Sequence, residues 1–235
     1  MVEKNQPSLL DFLEGKAFSV GLHLQIPDQP YMTRFELLEK LLGNKTVIHI
    51  GFADHKDLIL KKIENNTWLH KRLIEISQKC VGIDIDCETV EFVRKKLSIP
   101  NVFCLDIMEA DLPIEILSAH WDCVLLGEII EHVNNPVQFL TNLRKKFLGL
   151  VDSVIITTPN ALRISNFEFA LKGSEVINSD HRYWFTPYTL MKIATTAGYK
   201  IQNLYMVQSY HDQNHWYLVS KIAILRDDIV LVCNF

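Results

Sequence analysis

Three side chains in one short stretch can do chemistry together. Glu128, Glu131 and His132 stand at i, i+3 and i+4 within Gly127-Glu128-Ile129-Ile130-Glu131-His132. That spacing puts all three on one face if the segment begins a helical turn. Two carboxylates and an imidazole on a common face suit Mg²⁺, Mn²⁺ or a similar divalent ion, and His181 is available as a fourth ligand. The same groups suit metal-free work equally well. Glu128 would then cap the turn, while an imidazole of near-neutral pKa takes the proton from a hydroxyl as it attacks. On either account His132 and His181 are the candidate bases, with Glu128 beside them.

Other candidates stand just after short apolar runs. Gly51 follows Thr46-Val47-Ile48-His49-Ile50, and a glycine there lets the backbone approach a ligand closely and turn into a helix. Asp84 stands in Cys80-Val81-Gly82-Ile83-Asp84-Ile85, placed to accept hydrogen bonds from both hydroxyls of a ribose. Asp106 and Ile107 follow a third run at 101–105, and Gly127 with Glu128 follows a fourth at 121–126.

The elements that must hold these residues can be read from hydrophobic patterning. Strands are predicted at 46–50, 80–85, 101–105, 121–126 and 152–158, with two further candidates at 201–207 and 229–235. Helices are predicted at 34–42, at 56–79 with an interruption near Asn65-Asn66, at 88–97, 136–147 and 189–197, and near 214–224. Short apolar strands alternating with helices signal βαβ units, hence an α/β fold with a mostly parallel sheet and helices on both faces. Ligands in such sheets bind at the carboxyl ends of the strands near the switch point, where the candidates lie.

The series 47–55 (VIHIGFADH), 81–86 (VGIDID), 102–113 (VFCLDIMEADLP), 121–140 (WDCVLLGEIIEHVNNPVQFL) and 154–161 (VIITTPNA), with DHRYWFTPYTL at 180–190, resembles the class I S-adenosylmethionine-dependent methyltransferases. Within that family it looks most like the ubiquinone-type O-methyltransferases and the methyltransferases of polysaccharide gene clusters, over about residues 31–205. The resemblance implies a Rossmann-like seven-stranded sheet whose last strand is antiparallel, with S-adenosyl-L-methionine as cofactor. It implies that Gly51, Phe52 and Ala53 pack against the methionine moiety and that Asp84 and Ile85 meet the ribose. Asp106 and Ile107 would meet the adenine, and Gly127 would lie near the sulfonium. In some relatives the E-x-x-E-H pattern holds a metal that binds the acceptor hydroxyls, so Glu128, Glu131 and His132 are the implied ligands of a Mg²⁺ ion. Tyr183, Trp184 and Phe185 are expected either as walls of the acceptor pocket or as core, and Arg34 in the arm as a partner for the cofactor carboxylate. Trp216, His211 and His215 are expected as surface or packing residues.

Two departures from the family pattern stand out. In the glycine-rich turn His49 replaces the usual acid, while Ala53 and His55 replace the second and third glycines. The gap from Gly51 to Asp84 is 33 residues, against about 20 in a compact dinucleotide fold.

Composition bounds the function. Hydrophobic residues are 48% and charged residues 22%, which excludes a disordered or collagen-like chain. Twenty-eight acids against 24 bases argue against a nucleic-acid coat, and no apolar run reaches the roughly 18 residues of a membrane span. Residues 1–30, punctuated by Pro7, Pro27 and Pro30, read as an arm or lid, and 31–235 as a single methyltransferase domain. Five cysteines without a C-x-x-C pair predict free thiols and a reducing, cytoplasmic setting. The expected activity is O-methylation of a hydroxyl on a small or glycan-linked metabolite. The alternatives are an RNA 2′-O-methyltransferase, or a catalytically silent nucleotide-binding or scaffold protein of the same fold.

Overall fold

The computed structural model describes residues 7–54, 56–211 and 214–235. His55 of the glycine turn and residues 1–6 of the arm lie outside the described residues. The chain opens with α1 (Leu9–Leu13) and α2 (Arg34–Leu42), followed by β1 (Thr46–Ile50), α3 (Lys56–Glu64), α4 (Leu69–Ile76) and β2 (Lys79–Asp84). Next come α5 (Cys87–Lys96), β3 (Val102–Cys104), α6 (Ile114–Leu117), β4 (Trp121–Gly127), α7 (Pro136–Phe147) and β5 (Val151–Pro159). The chain closes with α8 (Ile164–Leu171), α9 (Pro187–Thr196), β6 (Lys200–Val207), α10 (Trp216–Val219), a 3-10 turn and β7 (Asp228–Asn234).

One seven-stranded sheet runs in the order β3-β2-β1-β4-β5-β7-β6. The pairs β1–β2, β1–β4, β2–β3 and β4–β5 are parallel, while β7 is antiparallel to both β5 and β6. Strand order reverses between β1 and β4, whose register sets Ile50 beside Leu126. The carboxyl ends carrying Gly51 and Gly127 are therefore neighbours.

Alternation of side chains along the strands buries both faces of the sheet. Ile48, Ile50, Val81, Ile83, Val124, Leu126, Val154 and Ile156 face α7 and α9, packing with Leu140, Leu143, Phe147, Leu190 and Ala194. Val47, Cys80, Cys123, Leu125 and Ile155 face the other way, against Leu37, Leu38 and Leu42 of α2 and Leu73 of α4. Capping is legible residue by residue. Thr33 and Glu36 form a capping box on α2, Asp86 caps α5, Asn135 with Pro136 starts α7, and Thr186 with Pro187 starts α9.

The structure departs from the sequence reading in several places. The arm is not wholly irregular: α1 docks on α9, burying Leu13 in the main core while Lys192 Nζ donates to Phe12 O at 2.6 Å. The helices α6 and α8 have no counterpart in the prediction, being four and eight residues long, with no residue of α8 buried. The helix expected near 214–224 shrinks to α10 and the 3-10 turn at Ala223–Leu225. The five cysteines are not all free: Cys87 at the start of α5 and Cys104 at the end of β3 form a disulfide, with Cα atoms 5.0 Å apart. Parallel pairing of β2 with β3 brings these positions together, a juxtaposition that spacing along the chain does not reveal. Among the described residues no helix is long and apolar enough to cross a membrane.

Candidate active site

The turn after β1 is built for close approach. Gly51 has φ +71°, a region that strains residues with a Cβ, and an added Cβ would lie 2.3 Å from Ile129 Cδ1. The Gly51 N–H donates to Ile83 O at 2.8 Å, and the Ala53 N–H donates to Asp84 Oδ2 at 3.0 Å. The Asp86 N–H donates to the other carboxylate oxygen, also at 3.0 Å. Burial raises the Asp84 carboxyl above its ordinary value, and the donors from Asp86 and Ala53 pull it back down. Asp106 Oδ1 accepts from the Met108 N–H at 2.8 Å.

Asp84, Ile85, Asp106 and Ile107 line a cavity of about 700 Å³ together with Gly51 and Ala53. That volume is in the range of small-molecule sites. The crevice is not plugged, and Asp84 borders it. Phe52 differs from expectation, because its ring is turned into a core cluster with Ile59 and Trp68. The ring lies flat over Gly82, where an added Cβ would meet it at 2.6 Å. The Phe52 carbonyl accepts from Trp68 Nε1 at 3.3 Å.

A second cavity of about 520 Å³ lies on the other side of the turn, lined by Arg34, His49, Gly127, Asp180, His181 and Tyr210 among others. Gly51, Ala53, Glu128 and His132 border both spaces, so the two meet there. His49 lies on its floor, buried, with Nδ1 3.3 Å from His70 Nδ1. Burial lowers its pKa to about 3, with the Arg34 charge adding to the shift, so a neutral imidazole stands where the family usually carries an acid. His70 is pushed down for the same reason.

The acid-acid-histidine segment is a turn rather than the start of a helix. Glu128 has φ +56°, and its N–H bonds to Thr157 O and Oγ1 at 3.2 and 3.1 Å. The expected common face is therefore broken. Glu128 reaches Arg34 and forms an ion pair with it. Glu131 turns inward, fully buried, with Oε2 accepting from Thr158 Oγ1 at 3.0 Å and Oε1 without a partner. Burial pushes the Glu131 carboxyl up to about 7.

His132 Nδ1 is 3.2 Å from Asp180 O, a carbonyl that can only accept, so Nδ1 carries the proton and Nε2 keeps a lone pair. The His132 and His181 rings lie 4.7 Å apart, nearly perpendicular. His181 Nδ1 is buried without a partner, and burial followed by the neighbouring His132 lowers its pKa. One ligand atom each from Glu131, His132 and His181 falls within a common 4.8 Å. The structure thus assembles Glu131, His132 and His181 and leaves Glu128 out, a correction to the expected ligand set. The turn held by Thr157 takes Glu128 off the common face, and Arg34, delivered by the first turn of α2 from 94 positions away, pairs with its carboxylate.

Tyr183, Trp184 and Phe185 line neither cavity. Phe185 is core, the Tyr183 hydroxyl donates to Asn134 O at 2.8 Å, and Trp184 Nε1 donates to Glu175 at 3.0 Å. Trp216 is exposed and packs edge-on to Tyr31. Sequence reasoning missed Asp228, a fully buried carboxylate 3.6 Å from Arg34, and Arg226, whose role is structural. A charged residue inside an apolar strand such as Asp228-Ile229-Val230-Leu231 was the available signal.

Residues 65–146 match the model of a family described as a methyltransferase domain. Among solved structures, the small RNA methyltransferase HEN1 superposes with a TM-score of 0.56 at 15% identity, over 91% of this chain and 27% of that one. This chain thus spans about a quarter of HEN1. A Listeria monocytogenes protein described as an S-adenosylmethionine-dependent methyltransferase gives 0.52 at 13% identity, over 85% and 95%. The methyltransferase domain of bacterial CtHen1-C gives 0.51 at 17% identity, over 86% and 94%. No curated protein matches the sequence. Residues 65–146 thus match a methyltransferase domain, and they lie within a sheet of the fold shared with these solved structures.

Proposed function

We propose that this chain is an S-adenosylmethionine-dependent methyltransferase that acts on a hydroxyl of a small or glycan-linked acceptor, with a divalent cation at Glu131, His132 and His181. The observation that carries the reading is the convergence of those three residues beside the cavities, with His132 bordering both, His181 lining the smaller one and Glu131 buried behind them. The donor set fits a divalent ion. One carboxylate and two imidazoles converge, and Glu131 Oε1 and His181 Nδ1 are buried without partners, a costly arrangement unless something binds them.

The cofactor supplies an activated methyl group, which moves as the acceptor oxygen–carbon bond forms and the sulfur–carbon bond breaks. A cation in the cluster would lower the pKa of a bound hydroxyl. The chain's own work is positioning and proton handling. Asp84 takes the ribose hydroxyls, with Ile85 beside the sugar, and Asp106 with Ile107 holds the adenine. Gly51, Ala53 and the Phe52 backbone border the methionine end, and Gly127 leaves room at the sulfur. His132, oriented by Asp180 O, turns the Nε2 lone pair to the cation, or, where no cation is bound, to the hydroxyl proton. Glu128 serves the site indirectly, through Arg34.

Transfer of labelled methyl from S-adenosylmethionine to polyol and sugar acceptors tests this reading. A chelator should abolish transfer and Mg²⁺ or Mn²⁺ restore it, and His132→Ala should lower kcat by roughly 10²–10⁴-fold with cofactor affinity unchanged. Indifference to chelator removes the cation, and methylation of an RNA oligonucleotide in preference to sugars replaces the acceptor class.

A further inference from the structure

Glu128 has the spacing of a metal ligand but a guanidinium for a partner. Its backbone is fixed in the left-handed region by two bonds to Thr157, and its carboxylate meets Arg34 Nη1. Arg34 is itself held firmly. It opens α2 behind the Thr33 cap, its N–H donates to Gln208 O at 2.7 Å, and the Gln208 N–H returns a bond to Met32 O at 3.0 Å. The guanidinium also lies 3.6 Å from Asp228 Oδ2, whose second contact is Ser209 Oγ at 2.8 Å. The Arg34 side chain is only 11% exposed and that of Glu128 35%, so the guanidinium is largely buried while the carboxylate half-faces the cavities. Across the turn, Glu131 and His181 keep buried atoms without a hydrogen-bond partner among the described residues.

We propose that Arg34 is a positioning residue for the cation cluster: it withholds Glu128, so the protein binds a divalent ion with three donors rather than four. This rests on the reading that Glu131, His132 and His181 take a divalent cation. A hard cation gains affinity with each anionic oxygen added to its shell. Arg34 therefore sets the cation affinity through Glu128, beyond the simple repulsion of one positive charge by another.

Calorimetric titration of metal-free full-length protein with Mn²⁺ alone tests it, using wild type, Arg34→Gln, Glu128→Gln and the double variant. Arg34→Gln should bind Mn²⁺ about tenfold more tightly than wild type, since a carboxylate joins the shell. Glu128→Gln alone should change affinity by less than about threefold, and the double variant should resemble it. A gain from Arg34→Gln that persists in the Glu128→Gln background overturns the proposal, because only charge removal is then at work. Arg34→Gln also strips Asp228 of its counter-charge. Should that variant misfold, Glu128→Gln in the wild-type background still decides: a loss of tenfold or more means Glu128 already ligates and the proposal is wrong. Mn²⁺ binding by none of the variants sinks the cation reading itself, a different failure from binding that ignores Arg34.

Discussion

The Ala53 N–H donates to Asp84 Oδ2 across 3.0 Å, so the turn after β1 and the end of β2 form one ledge. That bond fixes the carboxylate at the border of the larger cavity while leaving lone pairs for a ligand. Asp84→Asn is expected to weaken binding of S-adenosylhomocysteine by about tenfold to a hundredfold, the scale of hydrogen bonds to a charged group at 1.5–3 kcal/mol. Calorimetry measures it directly, and an unchanged Kd removes Asp84 from the cofactor site.

The buried His49–His70 pair makes stability depend on pH. The His49 pKa of about 3 lies below its ordinary 6.5, so the fold keeps it neutral where the unfolded chain takes up a proton. Its contribution is fully present above pH 6.5 and is lost as pH falls towards 3. His70 shifts in the same direction and adds to the loss. The urea midpoint should therefore drop between pH 7.5 and pH 5, and His49→Gln should flatten that drop. An equal slope in the variant would assign the acid lability elsewhere.

Arg226 ties the strap before α2 to the sheet. Buried throughout, it donates to Val219 O at 2.9 Å, Met206 O at 2.8 Å, Pro30 O at 3.0 Å and Gln29 O at 2.8 Å. Arg226→Met leaves these carbonyls without their donor and should cost about 3–5 kcal/mol in denaturant unfolding. Since the strap leads into Arg34, proteolysis should also accelerate near residues 29–34. A variant as stable as wild type contradicts the assignment.

The disulfide between Cys87 and Cys104 joins the segment after Asp84 to the strand before Asp106. Closing a loop with a sequence separation of 17 should stabilise by about 3 kcal/mol on the chain-entropy account. Cys87→Ser is expected to lower the melting temperature of the oxidised protein, with a reducing agent having no further effect on the variant. Equal melting of wild type with and without reductant would show that the bridge contributes nothing.

Much of this molecule was readable without coordinates. Apolar runs ended at Gly51, Asp84, Asp106 and Gly127 because parallel strands buried on both faces have little choice of residue until they reach the crevice. The starts of α2 and α7 fell where the sequence placed them, whereas α9 begins at Pro187 behind the Thr186 cap, two residues before the expected Thr189. Where local rules ran out, the reading failed. The face shared by Glu128, Glu131 and His132 presumed a helix, but Thr157 on the neighbouring strand captured the Glu128 N–H. For Tyr183, Trp184 and Phe185 the sequence left pocket wall and core open, because an aromatic run is equally at home in both, and the structure puts Phe185 in the core.

The sequence alone determined the strand-helix alternation, the faces of the sheet and the strand ends that border the crevice, since all three depend on residues near each other in the chain. Only the tertiary structure decided which acid joins His132 and His181, how Cys87 meets Cys104, and that Arg34 claims Glu128. Charge pairing and covalent bridging act through space, and packing brings the ends of β1, β4 and β7 to one point from distant stretches of chain.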